Sequence, residues 1–151
     1  MTKSTLLAAL AAGLLASAAM PAQAAFFNRI ASFPVAENAP EAEATSSEII
    51  SASEDGMTLV YSDSPGGGIG LVDITDPAAP AAAGYVSTDG EPTSVVVIGD
   101  YAFAGVNTSE SFVAPSGHVA VIDMASKEIV ATCDVSGQPD SVAKSPDGTL
   151  L

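Results

Sequence analysis

The residues of this sequence that could do chemistry are mainly aspartates at predicted strand ends and turns: Asp73, Asp76, Asp123, Asp134, Asp140 and Asp147. Carboxylates together with loop carbonyl oxygens suit a hard cation such as Ca²⁺, and Asp73, Asp76 and Asp123 are the candidate metal ligands. None of the aspartates shows the Asp-x-Asp-x-Asp-Gly spacing of a calcium loop. The alternative is that each carboxylate accepts hydrogen bonds from its own turn, so both interpretations stay open.

The side chains that nucleophilic or phosphate chemistry would use do not form a known motif. His118 and Cys133 are each the sole residue of their type and share no motif, and one histidine cannot form a zinc site by itself. We expect Cys133 to be a small buried apolar residue on a strand. The Gly-rich segment 65–70 lacks the Lys-Ser/Thr pair and the following helix of a P-loop, so it predicts a tight loop between strands. The sequence therefore assigns no catalytic or cofactor-binding residue, and whether the protein is an enzyme stays open.

The charge of the chain limits its partners. The 151 residues include 4 Lys or Arg and 18 Asp or Glu, which gives a formal net charge of −14. Nucleic acid and anionic membrane surfaces are bound through basic patches, which so few cationic residues cannot supply. We expect a protein, a glycan or a cell-envelope ligand as the partner, and no nucleic acid.

Residues 1–24 have the pattern of a secretory signal peptide. Lys3 gives a positive start, residues 6–19 are apolar, and Ala22-Gln23-Ala24 is a small-x-small site, so we expect cleavage between Ala24 and Ala25. The apolar run is about 14 residues long, whereas a membrane-spanning helix needs about 20. The sequence thus predicts an N-terminal signal helix and a secreted or periplasmic protein without a transmembrane span after cleavage.

The sequence repeats itself from about residue 48 onward. Gly90-Glu91-Pro92-Thr93-Ser94-Val95 recurs as Gly137-Gln138-Pro139-Asp140-Ser141-Val142, and Ser53-Glu54-Asp55-Gly56 recurs as Ser145-Pro146-Asp147-Gly148. The period of about 46 residues, with many β-branched residues and turn signals, favours repeated four-stranded sheets over a helical solenoid. Residues 25–47 precede the repeats as a lead strand over 26–35 and an Ala/Glu/Pro linker over 36–47.

Alternation and turn residues divide each repeat into four strands. The predicted strands are 48–53, 58–62, 69–74 and 83–87, then 94–98, 101–106, 117–124 and 128–135. Residues 140–151 add a first strand and a turn of a third repeat. Asp55-Gly56 is predicted as a type I′ hairpin turn, in which both central residues have positive φ.

The repeats predict an all-β fold, a partial β-propeller of about two four-stranded blades plus the start of a third. We expect six residues to pack between neighbouring sheets: Val95, Val97, Val119, Val121, Ile129 and Cys133. Because propellers close with four to eight blades, we also expect the sequence to be the front part of a longer protein.

Several motifs resemble those of known propeller families. Val72-Asp73-Ile74-Thr75-Asp76-Pro77 resembles the signature of LVIVD repeats, and Val119-Ala120-Val121-Ile122-Asp123 with the later Ser145-Pro146-Asp147-Gly148 resembles YVTN repeats of seven-bladed propellers. The segment 90–97, together with Val106-Asn107-Thr108-Ser109-Glu110-Ser111-Phe112, resembles the N-terminal propeller of exported bacterial proteins called choice-of-anchor I. The resemblance extends over residues 27–151.

The resemblance implies two functions. One is an exported propeller module that acts as a binding or scaffold unit in the periplasm or cell envelope. The alternative is the N-terminal part of a metal-assisted phosphoesterase, since relatives include phytase-like esterases and alkaline phosphatases, with an active site mostly beyond residue 151. The resemblance also implies that a strand over 27–35 pairs with the last blade and closes the ring.

Overall fold

Residues 28–151, which are the part described by the computed structural model, form two four-stranded antiparallel sheets. The first sheet contains β1 (Ile50–Ala52), β2 (Thr58–Asp63), β3 (Gly68–Asp73) and β4 (Ala81–Ser87), and the second contains β5 (Glu91–Ile98), β6 (Tyr101–Asn107), β7 (Gly117–Asp123) and β8 (Glu128–Val135). Strands that are consecutive in sequence are neighbours in each sheet. The all-β prediction is confirmed, and the eight strands of the two repeats lie where the sequence predicts them. The predicted signal peptide lies outside the described residues.

The hydrophobic core lies where one face of each sheet meets the other. Its buried members are Val60, Ile69, Leu71 and Val86 of the first sheet and Val95, Val97, Ala102, Ala104, Val106, Ala120 and Ile122 of the second. The register pairs Val95 with Ala104 and Ala104 with Ala120, so these side chains share one face. The prediction that Val95 and Val97 pack between the sheets is confirmed.

The other four residues do not lie between these two sheets, and within the described residues the expected burial of Cys133 is not found. Val119 and Val121 are half-buried, Ile129 is 37% exposed on the edge strand β8, and Cys133 is also exposed. Because successive side chains alternate, β7 turns Ala120 and Ile122 towards the first sheet and its valines away from it. Cys133 pairs with Val119 in the register and lies on that same side. We call this side the outer face of the second sheet.

The segment before β1 is neither the predicted strand nor a free linker. Among described residues 28–49 no strand precedes the repeats; the segment makes a short 3₁₀ turn at Val35–Glu37 that begins after Pro34. Proline has no N–H for a strand ladder, and its carbonyl instead accepts from the Glu37 amide at 2.9 Å. The side chain of Asn38 donates to the hydroxyl of Tyr61 at 3.1 Å and to the carbonyl of Leu71 at 2.8 Å. The segment therefore covers the face of the first sheet that carries Leu59, Tyr61 and Val72 and points away from the second sheet.

The predicted third repeat is present in part. Residues 136–144 form no strand, but the turn that follows repeats an earlier turn closely. In both turns a serine hydroxyl donates to an aspartate at 2.6 Å, from Ser53 to Asp55 and from Ser145 to Asp147.

The turn type predicted for Asp55-Gly56 is wrong. Gly56 has a φ of +71°, but among the described residues Lys127 alone has a positive φ without being glycine. The amide of Gly56 donates to the Ser53 carbonyl at 3.0 Å, and Asp55 accepts from the Met57 amide at 2.9 Å. One left-handed glycine and an aspartate that bonds its own turn therefore close this hairpin.

Candidate functional site

The connections between strands gather at two opposite ends of the molecule. Because each sheet is an antiparallel meander, the β2–β3, β4–β5 and β6–β7 connections lie at one end, together with residues 136–139 after β8. We call this the loop end. The β1–β2, β3–β4, β5–β6 and β7–β8 connections lie at the other, which we call the turn end.

His118 lies on β7 at the loop end and is 7% exposed. Its Nε2 atom is 3.3 Å from Oδ1 of Asp89, a largely exposed residue of the β4–β5 connection. In the register His118 pairs with Asp134 on one side and with Val106 on the other. A histidine beside an exposed carboxylate can donate a hydrogen bond or, when protonated, form an ion pair.

The sheet separates His118 from Cys133. Cys133 pairs with Val119, while its sequence neighbour Asp134 pairs with His118. Since successive side chains of a strand point to opposite faces, the thiol and the imidazole lie on opposite sides of the second sheet. The structure therefore does not form a Cys-His nucleophile pair from these two residues.

Further acidic residues surround the loop end. The side chain of Asn107 donates to Glu91 at 3.3 Å. Ser64 donates to Glu48 at 2.9 Å and to the Pro92 carbonyl at 3.0 Å, which joins the first sheet to the start of the second. The arrangement presents carboxylates from several connections on one surface.

Cationic side chains of the repeats lie at the opposite end. Lys127 belongs to the β7–β8 connection, and Lys144 lies next to the turn that starts at Ser145. The Lys144 ammonium donates to the carbonyl of Val97 at 2.8 Å and is 4.0 Å from Glu54. The turn end also carries Glu54, Asp55, Asp76, Asp100 and Asp147, so the two ends differ in the position of these lysines and not in the presence of carboxylates.

Asp63 is a fully buried carboxylate that sequence reasoning missed. It accepts hydrogen bonds from the amides of Ser46 at 2.8 Å and Gly66 at 2.9 Å, and from the hydroxyl of Tyr85 at 3.2 Å. Burial raises the pKa of Tyr85, and the negative charge of Asp63 raises it further. An aspartate placed directly before Ser-Pro-Gly-Gly was the available signal, because a carboxylate can close such a turn through its amides.

The Gly-rich segment forms the tight loop that the sequence predicts, but the loop is limited to residues 64–67, because 68–70 belong to β3. Gly67 has a φ of +66°, and a Cβ added at Gly66 would collide with the Asp63 carboxylate. The Gly66 amide points to that carboxylate and is used within the protein. The loop therefore connects β2 and β3 around a buried charge.

The three candidate metal ligands bond to their own turns. Asp73 accepts from the Thr75 amide at 2.8 Å, Asp76 accepts from the Ala78 amide at 3.0 Å, and Asp123 accepts from the Ala125 and Ser126 amides at 2.9 and 2.8 Å. These backbone hydrogen bonds lower the pKa values of Asp73 and Asp123. Within residues 28–151, no three or more His, Cys, Asp or Glu side chains are grouped as they would be around a metal ion.

The largely apolar cavity between residues 30–35 and the first sheet has a volume of about 340 Å³. Leu59, Tyr61 and Val72 contribute to its sheet side, and Ile30 and Phe33 contribute to its other side.

Helices of membrane-spanning length and hydrophobicity do not occur in the described part of the chain.

Known proteins resemble this chain in sequence and in fold. The model of the choice-of-anchor I domain matches residues 48–151. Hydrazine synthase from Kuenenia stuttgartiensis has a similar structure, with a TM-score of 0.57 and 21% identity over 68% of this chain and 28% of the hydrazine synthase chain. This likeness concerns the fold alone, and a comparison with curated proteins gives no match. The two consecutive four-stranded sheets coincide with the matched residues, and the chain belongs to the choice-of-anchor I domain family.

Proposed function

We propose that this chain supplies consecutive blades of a β-propeller in an exported protein, and that the propeller is a binding or scaffold module of the periplasm or cell envelope. The observation that carries the proposal is a pair of similar hydrogen bonds, each of which links the first strand of one repeat to the next repeat. The Ser51 hydroxyl accepts from the Val97 amide at 3.1 Å, and the Ser94 hydroxyl accepts from the Val142 amide at 3.2 Å. The first strand of each repeat is thus joined to the corresponding segment of the next.

This pattern is the one that radial repetition requires. β1 lies beside β5, and β5 lies beside residues 139–144, while the remaining strands of each sheet follow in order away from the first. The contacts between repeats pass through side chains, since each four-stranded ladder stays within its own repeat. Sheets packed face to face with their first strands adjacent are the arrangement of propeller blades.

The outer face of the second sheet also fits a blade. Its half-buried and exposed apolar side chains are Val96, Phe103, Val119, Val121, Ala131 and Cys133. Repeats of this kind bury such faces against the next repeat, and only capping units turn a polar face outward. We infer that a further sheet covers this face in the assembled ring.

The exposed connections at the loop end support a binding function. The rigid sheets position several exposed connections there, and such loops on a firm scaffold are common places for recognition. Asp89, Glu91 and Glu110 are exposed on these connections and strand ends, so the surface is acidic. The signal-peptide pattern supports a location outside the cytoplasm.

The rate of thiol labelling of Cys133 in the folded full-length protein tests whether a further sheet covers the outer face of the second sheet. A covering sheet would make the modification much slower than in the same protein after denaturation. Labelling at the rate of an open thiol would overturn the inference that another sheet covers the outer face. An exposed cysteine introduced at Ser126 would serve as the reference for an open position, since Ser126 is exposed at the turn end.

Binding of the purified natural protein to isolated cell-envelope fractions tests the module function. Phosphomonoester hydrolysis should be measured in parallel, with Ca²⁺ and with a chelator. Saturable binding without turnover supports the binding module. Calcium-dependent turnover without envelope binding would overturn it and favour the phosphoesterase alternative.

A further inference from the structure

The β6–β7 connection, residues 108–116, carries two exposed apolar side chains at its tip. Phe112 is 99% exposed and Val113 is 93% exposed. They occupy the centre of a turn in which the Ala114 amide donates to the Ser111 carbonyl at 3.1 Å. Turn centres favour Gly, Pro, Asn, Asp and Ser for conformational reasons, so local structure does not explain Phe-Val here.

The base of this loop is held by a network of hydrogen bonds. The Thr108 amide donates to the Ser116 carbonyl at 3.1 Å, and the hydroxyls of these two residues are 2.9 Å apart. The Ser109 hydroxyl donates to the Ser116 carbonyl at 3.1 Å and accepts from the Ser116 amide at 2.9 Å. The Ser109 amide donates to the Asn107 side chain at 3.0 Å. The tip is therefore presented on an ordered support, which lowers the entropy lost on binding.

The first sheet shows that such a loop is not needed to join the two strands. Its equivalent β2–β3 connection is the four-residue turn 64–67, whereas the β6–β7 connection spans 108–116. The short turn closes around Asp63, but the longer loop extends from the sheet and bears Phe112. The extra length and its apolar tip are thus additions to the blade that its folding does not require.

The charges around the tip indicate what it would contact. Glu110 is exposed within the loop, and Asp89, Glu91 and Asp134 are exposed at the same end of the sheets. With a formal net charge of −14, the chain repels a second copy of itself and anionic lipid surfaces. An apolar tip within an acidic surround matches an apolar pocket rimmed by Lys and Arg.

We infer that the 108–116 loop is a recognition loop that inserts Phe112 and Val113 into an apolar pocket with a basic rim on a partner protein. This inference rests on the proposed binding function and assigns it a surface. A buried aromatic anchor at the centre of a contact carries much of the affinity in protein interfaces. The surrounding carboxylates contribute orientation and association rate.

A photo-crosslinking amino acid at position 112 of the full-length protein, in the cells that make it, tests the inference. The control places the same amino acid at Ala125, which is exposed at the turn end. We expect a heteromeric protein adduct from position 112 that is absent from position 125 and is reduced by Glu110→Lys. An adduct to lipid or to a second copy, an adduct unchanged by Glu110→Lys, or no adduct from position 112 would overturn the inference.

The crosslinked partner is then purified and titrated with the intact protein. We expect Phe112→Ser to weaken binding at least about tenfold, and added salt to weaken it as well. Replacement of 108–116 by Ser-Pro-Gly-Gly, the turn of the first sheet, should abolish binding without changing urea stability. Unchanged affinity in both variants would overturn the inference. If the unmodified protein still binds envelope fractions in that case, the binding module stands and only the assignment of the loop fails.

Discussion

The hydroxyl of Ser51 accepts a hydrogen bond from the amide of Val97 across the junction of the two sheets, with an N–O distance of 3.1 Å. Val97 is fully buried and lies 46 residues further along the chain. Ser94, in the second repeat, accepts a similar bond from the amide of Val142, although Val142 corresponds to Val95 in the repeat and not to Val97. One serine per repeat thus satisfies a backbone donor of the following repeat.

Ser51→Ala should destabilise the protein by about 1–3 kcal/mol, because it leaves the buried Val97 amide without its partner. Urea unfolding monitored by circular dichroism measures the change. Ser94→Ala should have a smaller effect, since the Val142 amide belongs to a less buried segment. Ser87→Ala, at an exposed serine of β4, is the control and should change stability by less than about 0.5 kcal/mol. Equal stability of the Ser51 and Ser87 variants would contradict the role of this hydrogen bond.

Gly70→Ala should destabilise the protein by about 1–3 kcal/mol through overpacking. Gly70 pairs with Tyr61 in the register, and a Cβ at Gly70 would collide with the Tyr61 ring. Displacing the ring would also disturb the hydrogen bond between Tyr61 and Asn38. The control is Gly137→Ala, because a Cβ there meets nothing within 4 Å. Thermal unfolding of both variants tests the prediction, which fails if the two melt together.

The stability of the protein should fall as the pH rises above about 10. The pKa of Tyr85 is raised by burial and by Asp63, and the pKa of Tyr61 is raised mainly by burial, from an ordinary value of 10.0. Between the unfolded and the folded pKa the unfolded state has lost protons that the folded state keeps, so rising pH favours unfolding. The stabilisation is complete below pH 10 and is lost as the pH rises towards the folded pKa values.

Tyr85→Phe separates this effect from general alkaline damage. The variant should lose about 1 kcal/mol at neutral pH, because Asp63 loses one donor. Above pH 10 its stability should fall less steeply than that of the unmodified protein. Tyr101→Phe, at a residue 41% exposed, is the control. Parallel slopes for the Tyr85 variant and the unmodified protein, measured by urea unfolding at several pH values, would contradict the prediction.

The order of the strands could be predicted from the sequence because their alternation and turns are local properties. Which face of a strand is buried could not always be predicted: residues 119–122 of β7 are all apolar, and only the pairing of Ala104 with Ala120 selects the face. For the same reason, the sequence does not indicate that Cys133 faces away from the first sheet. Asp63 was missed because its donors include Tyr85 and Ser46, which are distant in sequence. The exposure of Phe112 could not be predicted from the local sequence either, since phenylalanine is usually buried in the core.

Loss of the serine from the turn at Ser53 or from the turn at Ser145 should raise the pKa of the aspartate in that turn, and the rise should be larger in the first. The pKa of Asp55 is lowered from 3.8 first by the Ser53 hydroxyl and then by the Met57 amide. Asp147 has a lowered pKa through Ser145 and, in addition, through both the hydroxyl and the amide of Thr149. Removal of the serine therefore takes away a larger share of the donors in the first turn.

We accordingly expect Ser53→Ala to raise the pKa of Asp55 more than Ser145→Ala raises that of Asp147. Carboxyl chemical shifts followed by NMR against pH measure both values in the same protein. A carboxyl with a lowered folded pKa stabilises the protein above its unfolded pKa, and this stabilisation is lost as the pH falls through the folded value. The pKa of Asp147 in Ser145→Ala,Thr149→Val should match that of Asp55 in Ser53→Ala, because each carboxylate then keeps one backbone amide as its donor. If none of the three substitutions changes the pKa of Asp55 or Asp147, these serine and threonine hydroxyls do not donate hydrogen bonds to the aspartates in solution.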